Sequence, residues 1–495
     1  MDAGDAKRLL SKLKPAAVCR VFSSSLTFPD GEMNGILDLG VRELLKAFSG
    51  KTVSPSDYMA AVCERVEACE PKVGALYDYR PEQAMKQAEE ATQRWLKGAP
   101  NGALDGVPVT LKELIATKGD PVPMGTAATE LVPADADAPT AARLKEDGAI
   151  IFAKTTCPDY GMLSSGLSTF HQLSRNPWDL STNPGGSSAG AGSAGAAGYG
   201  PLHIGTDIGG SVRLPAGWTG LFGFKPTQGR VPVYPYYPGR CVGPMTRTVD
   251  DSLMVMPVIT RSDWRDATSV PYEALDYDVA PANVKGMKIG LILDAGTGLK
   301  VDPEVRDAVL AAARMFEEQG ADIVDLGPLL TRENLDGLDT FWRARFWSQM
   351  RKLSDEARGK ILPYILDWAS VAAKIDGASV AAGFDHMLAM RQSCASALNG
   401  VGAILSPVNP IVSFPAEWPA PTNDPALPFE HICFTMPWNM GDQPACSINC
   451  GFSKSGMPIG LQIVAPRFED LTVLRLAKAF EEWRGPITNW PVIAS

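Results

Sequence analysis

Two serines in this 495-residue chain, Ser187 and Ser211, each follow a pair of glycines, and the run between them carries one acid, Asp207, with no lysine or arginine. A serine hydroxyl is a weak nucleophile until a base takes its proton, so such a pair calls for a third group. Histidine is scarce, present only as His171, His203, His386 and His431. Lysine is the other candidate, provided that it is neutral, and burial away from carboxylates achieves this by disfavouring the ammonium form. Lys112, in "GVPVTLKELIATKG", precedes both serines and is placed in chain order to serve them. The chemistry these residue types allow is acyl transfer through a serine.

The same run admits rival readings. Gly190, Gly192 and Gly195 satisfy the GxGxxG of a dinucleotide cradle, and Gly186, Ser188 and Gly190 satisfy the GxSxG of a nucleophile elbow, with His386 or His431 as its base. Both patterns need a strand leading directly into the turn. Here "NPGG", residues 183–186, stands in that place, and Asp207 follows Gly195 too closely for an intervening helix and strand. A flexible linker would continue polar, whereas this run passes through "LHIG" into the hydrophobic "GLFGFKPT".

The elements that must position these groups show an alternating rhythm. Apolar side chains at helical spacing predict helices over 36–48, after Ser54 as N-cap with Pro55 in the first turn, and over 81–96. Val107, Val109 and Leu111 alternate with Pro108, Thr110 and Lys112, a strand with two unlike faces that sets Lys112 opposite the apolar one. The small residues from Ala189 to Gly198 make a tightly buried helix that draws the two serine turns together. "TAARLKEDGAIIFAKTT" reads as helix, glycine stop and strand, and "VKGMKIGLIL" with "PEVRDAVLAAARMFEEQGADIVDLG" repeats the alternation. This predicts an α/β fold with a sheet covered by helices. Residues 329–398 read as mostly helical, 406–444 as a proline- and aromatic-rich irregular segment lining a pocket, and the C-terminal region as a strand followed by an amphipathic helix. There is no internal repeat and no linker.

Composition narrows the function classes. With 45% hydrophobic and 21% charged residues the chain buries a large core. A net charge of -10 without any basic block leaves no footprint for nucleic acid or an anionic membrane. Nine cysteines without a CxxC pair fit reduced thiols in a cytoplasm. The histidines lack HxH or HxxxH spacing, so no metal is expected. Neither a signal peptide nor an apolar run of about 18 residues is present, and residues 1–35 read as an N-terminal extension.

Four segments together resemble the amidase signature family: "GVPVTLKELIATKG", "NPGGSSAGAGSAGAAG", "GTDIGGSVRLPAGWTGLFGFKPTQGRVP" and "FTMPWNMGDQPACSINCGFSKSGMPIGLQIV". The likeness spans roughly Ile36 to Glu482. It implies a single catalytic domain over 36–495, built on a central mixed β-sheet covered on both faces by helices. It also implies a Ser-cisSer-Lys triad in which Ser211 is the nucleophile, Ser187 the bridging serine after a cis peptide from Gly186, and Lys112 the base. The serine separation, 211 minus 187 or 24 residues, agrees with the family pattern and selects Ser187 over Ser188, which becomes a supporting residue. Backbone N–H groups of Ile208, Gly209 and Gly210, with that of Ser211, are the implied oxyanion hole.

Met162, Ser164, Ser165 and Leu214 are the expected substrate contacts. Asp207 and Arg213 read as a structural ion pair, and His203 and Trp218 as packed core. The resemblance requires no cofactor, and the expected partner is a small-molecule amide, ester or carbamate, with a homodimer left open. Leu214 stands where the glutamine-hydrolysing amidotransferase subunits of this family carry glutamine, which favours an aryl or alkyl amide and makes the subunit the alternative.

Overall fold

Strand-forming segments collect into one mixed sheet in the computed structural model, which describes residues 35–493; residues 1–34, nearly all of the expected N-terminal extension, lie outside the described residues. In chain order the strands are β1 (Leu76–Tyr77), β2 (Pro108–Lys112), β3 (Ile150–Thr155), β4 (Leu202–Asp207), β5 (Phe222–Lys225) and β6 (Cys241–Thr246). They continue with β7 (Lys288–Leu291), β8 (Asp322–Asp325), β9 (Ala403–Pro407), β10 (Ala445–Phe452) and β11 (Pro458–Val464). Their order across the sheet is β1-β3-β2-β4-β6-β5-β10-β11-β9-β7-β8. The β3-β2-β4 trio is parallel, as is β9-β7-β8, and the strands between them pair antiparallel.

Side-chain alternation shows why both faces must be covered. Ala403 and Leu405 of β9, Cys446 of β10, and Leu461 and Ile463 of β11 belong to one hydrophobic core. Their neighbours Ile404, Ala445 and Val464 point the other way and join a second core with Leu214 and Trp218. Neither face can meet water, which is the reason helices pack on each. On the first side, Phe316 of helix Pro303–Glu318 stacks on Phe480 of helix Asp470–Arg484, with ring centroids 5.7 Å apart. The fold is α/β, as the alternation in sequence predicts.

Several expected elements form with the expected residues. Helix Pro55–Val73 starts at Ser54, whose Oγ accepts the Asp57 N–H while the Asp57 carboxylate accepts the Ser54 N–H. Helix Pro81–Leu96 has the bounds read from its periodicity. The first helix differs, running Val41–Gly50, because Glu43 accepts the Gly40 N–H and caps it there. Strand β2 also differs: all five of its residues are buried, so its polar face looks into protein.

The small-residue helix forms at Ala189–Ala197 with all nine residues buried. Its composition is a matter of clearance. A Cβ on Gly190 would lie 2.1 Å from the Ala75 carbonyl oxygen and 2.5 Å from the Thr156 nitrogen, so only glycine lets the helix approach this closely. That approach brings the Ser187 turn down to the ends of the parallel strands.

Candidate active site

Strands β2 and β4 are parallel neighbours, so their carboxyl ends lie side by side, where open α/β sheets place ligands. Lys112 ends β2, and Thr206 and Asp207 end β4. The Lys112 side chain is fully buried, its Nζ 2.7 Å from Ser187 Oγ and 3.1 Å from Thr206 Oγ1. Burial pushes its pKa down from 10.5 to about 8, and the nearby Arg240 charge acts in the same direction. The Gly186–Ser187 peptide is cis, as the resemblance implies.

The Ser211 turn is held from behind. Asp207 Oδ1 accepts the Gly210 N–H at 2.8 Å and Oδ2 the Val212 N–H at 3.1 Å, while Arg213 grips the same carboxylate at 3.0 and 3.1 Å. Burial pushes the Asp207 pKa up, but the Arg213 charge and hydrogen bonds outweigh it and hold the carboxyl below its usual range. Arg213 also donates to the Thr435 carbonyl, Gln462 Oε1 and Asn439 Oδ1. This matches the expected structural pair. Gly210 has φ +125°, and a Cβ there would sit 2.4 Å from Thr435 Oγ1, so the position requires glycine.

One expectation for this turn is corrected. The Gly210 N–H is engaged by Asp207 and does not join an open set of donors. The N–H groups left without an acceptor among the described residues are those of Ile208, Gly209 and Ser211.

Ser187 and Ser211 open onto one cavity of about 710 Å³, part of it open to solvent. Ile208, Gly209 and Thr206 share its wall, as do the expected contacts Met162, Ser164 and Leu214. Ser165 does not. Its Oγ donates to the Trp418 carbonyl and accepts from the Leu167 N–H and Asn183 Nδ2, so its lone pairs and proton brace loops behind the cavity. The two catalytic-type hydroxyls do not bond each other; their turns are joined by the Ser188 N–H, which donates to the Ser211 carbonyl at 3.3 Å.

The rival motif readings lose their geometry. Ser188 Oγ donates to the Thr206 carbonyl and accepts the Thr206 N–H, which ties it to β4 with no histidine in contact. Of the two histidines considered as its base, His431 lines the cavity and His386 does not. Both His431 ring nitrogens lack a partner among the described residues, and burial pushes its pKa down to about 3. The glycine helix is preceded by loop, against the strand a dinucleotide site needs. His203 is core: its ring bonds Thr110 Oγ1 and the Gly200 carbonyl, and burial pushes its pKa down to about 4.

Sequence reasoning missed much of the cavity. Trp342 and Phe346 come from helix Arg332–Met350, Phe429 from the irregular segment after β9, and Arg240 and Arg345 bring two guanidinium groups. No local pattern marks these positions. Only the proline- and aromatic-rich composition of 406–444 signalled that this segment borders a pocket.

The amidase family pattern matches residues 57–474. The chain belongs to the amidase signature family. Among curated proteins the amidase is 31% identical over 456 residues to an acylamidase of Rhodococcus erythropolis, covering 90% of this chain and 95% of that one. It is 32% identical over 462 residues to a glutamyl-tRNA(Gln) amidotransferase subunit from Chloroflexus aggregans, covering 87% and 92%. Among solved structures, a bacterial aryl acylamidase of the amidase signature enzymes superposes with a TM-score of 0.83 at 28% identity, covering 91% of the amidase and 97% of that chain. The amidase is an amide-hydrolysing enzyme.

Proposed function

We propose that the enzyme hydrolyses a small carboxylic amide through an acyl-enzyme on Ser211. The observation that carries this is Lys112: a fully buried amine, 2.7 Å from the Oγ of Ser187, which itself lines the cavity that also holds Ser211. With its pKa near 8 a substantial neutral fraction exists at mildly alkaline pH, and its lone pair takes the Ser187 proton while its N–H donates to Thr206. Ser187 in turn takes the proton of Ser211 as Oγ attacks the substrate carbonyl carbon. The carbonyl π pair moves onto oxygen, and the free N–H groups of Ile208, Gly209 and Ser211 stabilise that charge.

Collapse of the adduct breaks the C–N bond, and the proton held by Lys112 passes back through Ser187 to the leaving amine. Water repeats the attack and releases the acid. The direct Ser187–Ser211 contact forms when substrate is seated, since catalytic hydrogen bonds are often long before that.

The same acyl chemistry extends to esters and carbamates whose leaving groups fit. The acylamidase likeness and the apolar Leu214 support an aryl or alkyl amide. The second reading, a glutamine-hydrolysing subunit working with partners, rests on relatives such as the Chloroflexus aggregans protein. Eight cysteines, all free among the described residues, support a reducing cytoplasm as the setting. Among the described residues no helix is long and apolar enough to cross a membrane.

The test is a panel of anilides, aliphatic amides, esters and carbamates given to the isolated chain, with active-site labelling by a fluorophosphonate. Turnover without partners is expected, and Ser211→Ala abolishes both turnover and labelling. Full activity in Ser211→Ala would remove the serine assignment, and turnover only in the presence of a partner would favour the amidotransferase reading.

A further inference from the structure

Arg240 and Arg345 both line the cavity of Ser187 and Ser211, and neither has a carboxylate within ion-pair distance among the described residues. No aspartate or glutamate lines that cavity at all among the described residues. The contrast with the rest of the chain is sharp, because acids outnumber bases 56 to 46 overall and the other guanidinium near the site, Arg213, is fully paired. Two like charges set together without a counter-ion repel, and burial of each adds to the penalty; burial and the Arg345 charge both push the Arg240 pKa down, to about 10.

The two side chains are held in place by groups that leave most of their donors open. The Arg345 guanidinium lies over the Tyr237 ring at 3.3 Å from its centroid and near the Phe346 ring at 4.9 Å. Stacking fixes the plane of the fork and leaves its N–H edge to a ligand. Among the described residues the Arg240 side chain makes one hydrogen bond, Nη1 to the Pro235 carbonyl at 3.2 Å. Beside them Trp342, 4% exposed and on the cavity wall, has an indole N–H with no acceptor among the described residues. Buried donors without acceptors are rare in folded proteins, and the Trp342 N–H is one, on the same cavity wall as the two half-buried guanidinium groups.

We infer that the substrate carries a carboxylate, or an anion of the same shape, that is received by Arg240 and Arg345 with the Trp342 N–H as a further donor. This rests on the amide-hydrolysis reading and narrows it: the substrate is a net anion, such as the monoamide of a dicarboxylic acid or an amide of an amino-carboxylate. A zwitterion such as free glutamine is disfavoured, because its ammonium group would enter a cavity with two cations and no acid. The carboxylate forms two parallel hydrogen bonds to a guanidinium fork, a geometry that lysine cannot supply.

The test uses matched chromogenic pairs on the full chain. One pair places the charge on the acyl side, glutaric acid mono-4-nitroanilide against pentanoyl 4-nitroanilide. The other places it on the amine side, N-acetyl-4-aminobenzoate against N-acetyl-4-aminobenzamide. In one of the pairs the anionic member is expected to have a kcat/KM at least about tenfold higher, through KM. Arg345→Gln and Arg240→Gln bring that ratio toward one, and Arg345→Lys keeps only part of it. Binding of glutarate and of 4-aminobenzoate, read by tryptophan fluorescence, weakens in the same variants. Hydrolysis of the neutral members with no preference for either anion, and ratios unmoved by the Arg variants, overturns the inference while leaving the amidase reading standing. Arg-dependent binding of the acids without turnover of any amide supports the inference and removes the reading beneath it.

Discussion

Burial separates Lys112 from an ordinary strand lysine. At about pH 8 half of its folded-state population is neutral, so kcat/KM should rise with pH through that value as the base loses its proton. Lys112→Met fills the same space without a proton acceptor, and kcat should fall by about 10²–10⁴-fold with the far-UV circular dichroism unchanged. Stability carries a second signature. Below pH 8 both the folded and the unfolded chain hold the proton, and the folded state bears the buried ammonium in full. Between about pH 8 and the ordinary lysine range only the unfolded chain holds it, so stability rises with pH. Thermal melts of the Met variant should therefore exceed those of the parent most near neutrality and least above about pH 10. A variant that melts lower at every pH, or keeps its rate, would show that Lys112 is structural.

The helix Ala189–Ala197 has no large side chain with which to pack, and its role is to let backbone approach backbone. Gly190→Ala puts a methyl 2.1 Å from the Ala75 carbonyl, so helix or strand must move. The expected loss is about 1–3 kcal/mol in denaturant unfolding. Because Ser187 lies three residues upstream on the same turn, kcat should also fall, by at least about tenfold, since a shift of about 1 Å at a reacting group is enough. Unchanged kcat in a destabilised variant would uncouple the helix from the serine.

What the sequence made legible follows the same division between near and far. The Ser54 cap is closed by Asp57 three residues on, and the helix Pro81–Leu96 shows its own periodicity, so both could be read locally. The two serines and Lys112 were legible as residue types in a resembling pattern. Thr206, which shares the Lys112 amine, was not singled out, although it sits beside Asp207 at the end of β4. Ser165 was misread because nothing local tells a hydroxyl that faces a cavity from one that braces Trp418, more than 250 residues away. The turn of Gly210 toward Asp207 was hidden for a different reason: a backbone N–H carries no side-chain signature of the acceptor it will find.

The cavity exists because a long excursion between β8 and β9 returns over the carboxyl edge of the sheet. Helices Arg332–Met350, Pro363–Ser370 and Gly377–Ala397 build a second core that roofs the serines with Trp342 and Phe346. Trp368 is its keystone: 2% exposed, it sets its ring 5.8 Å from Phe346 and 5.7 Å from Phe429, both of which face the cavity. Its indole N–H donates to Asp339 at 2.7 Å, and its carbonyl accepts from Arg343. Asp159 ties the opposite wall to this region, accepting the Leu362 N–H as well as the Thr169 hydroxyl. Trp368→Ala should lower stability by about 3–5 kcal/mol, the usual range for deleting a buried aromatic. It should do so without touching the proposed triad, since Lys112 ends β2 and the two serines lie in turns braced against the end of β4. The expected outcome is therefore a raised KM for bulky amides, with Ser211 still labelled by a small fluorophosphonate at close to the parental rate. Loss of that labelling in a variant that still unfolds cooperatively would mean that the roof, and not the sheet alone, holds the nucleophile in place.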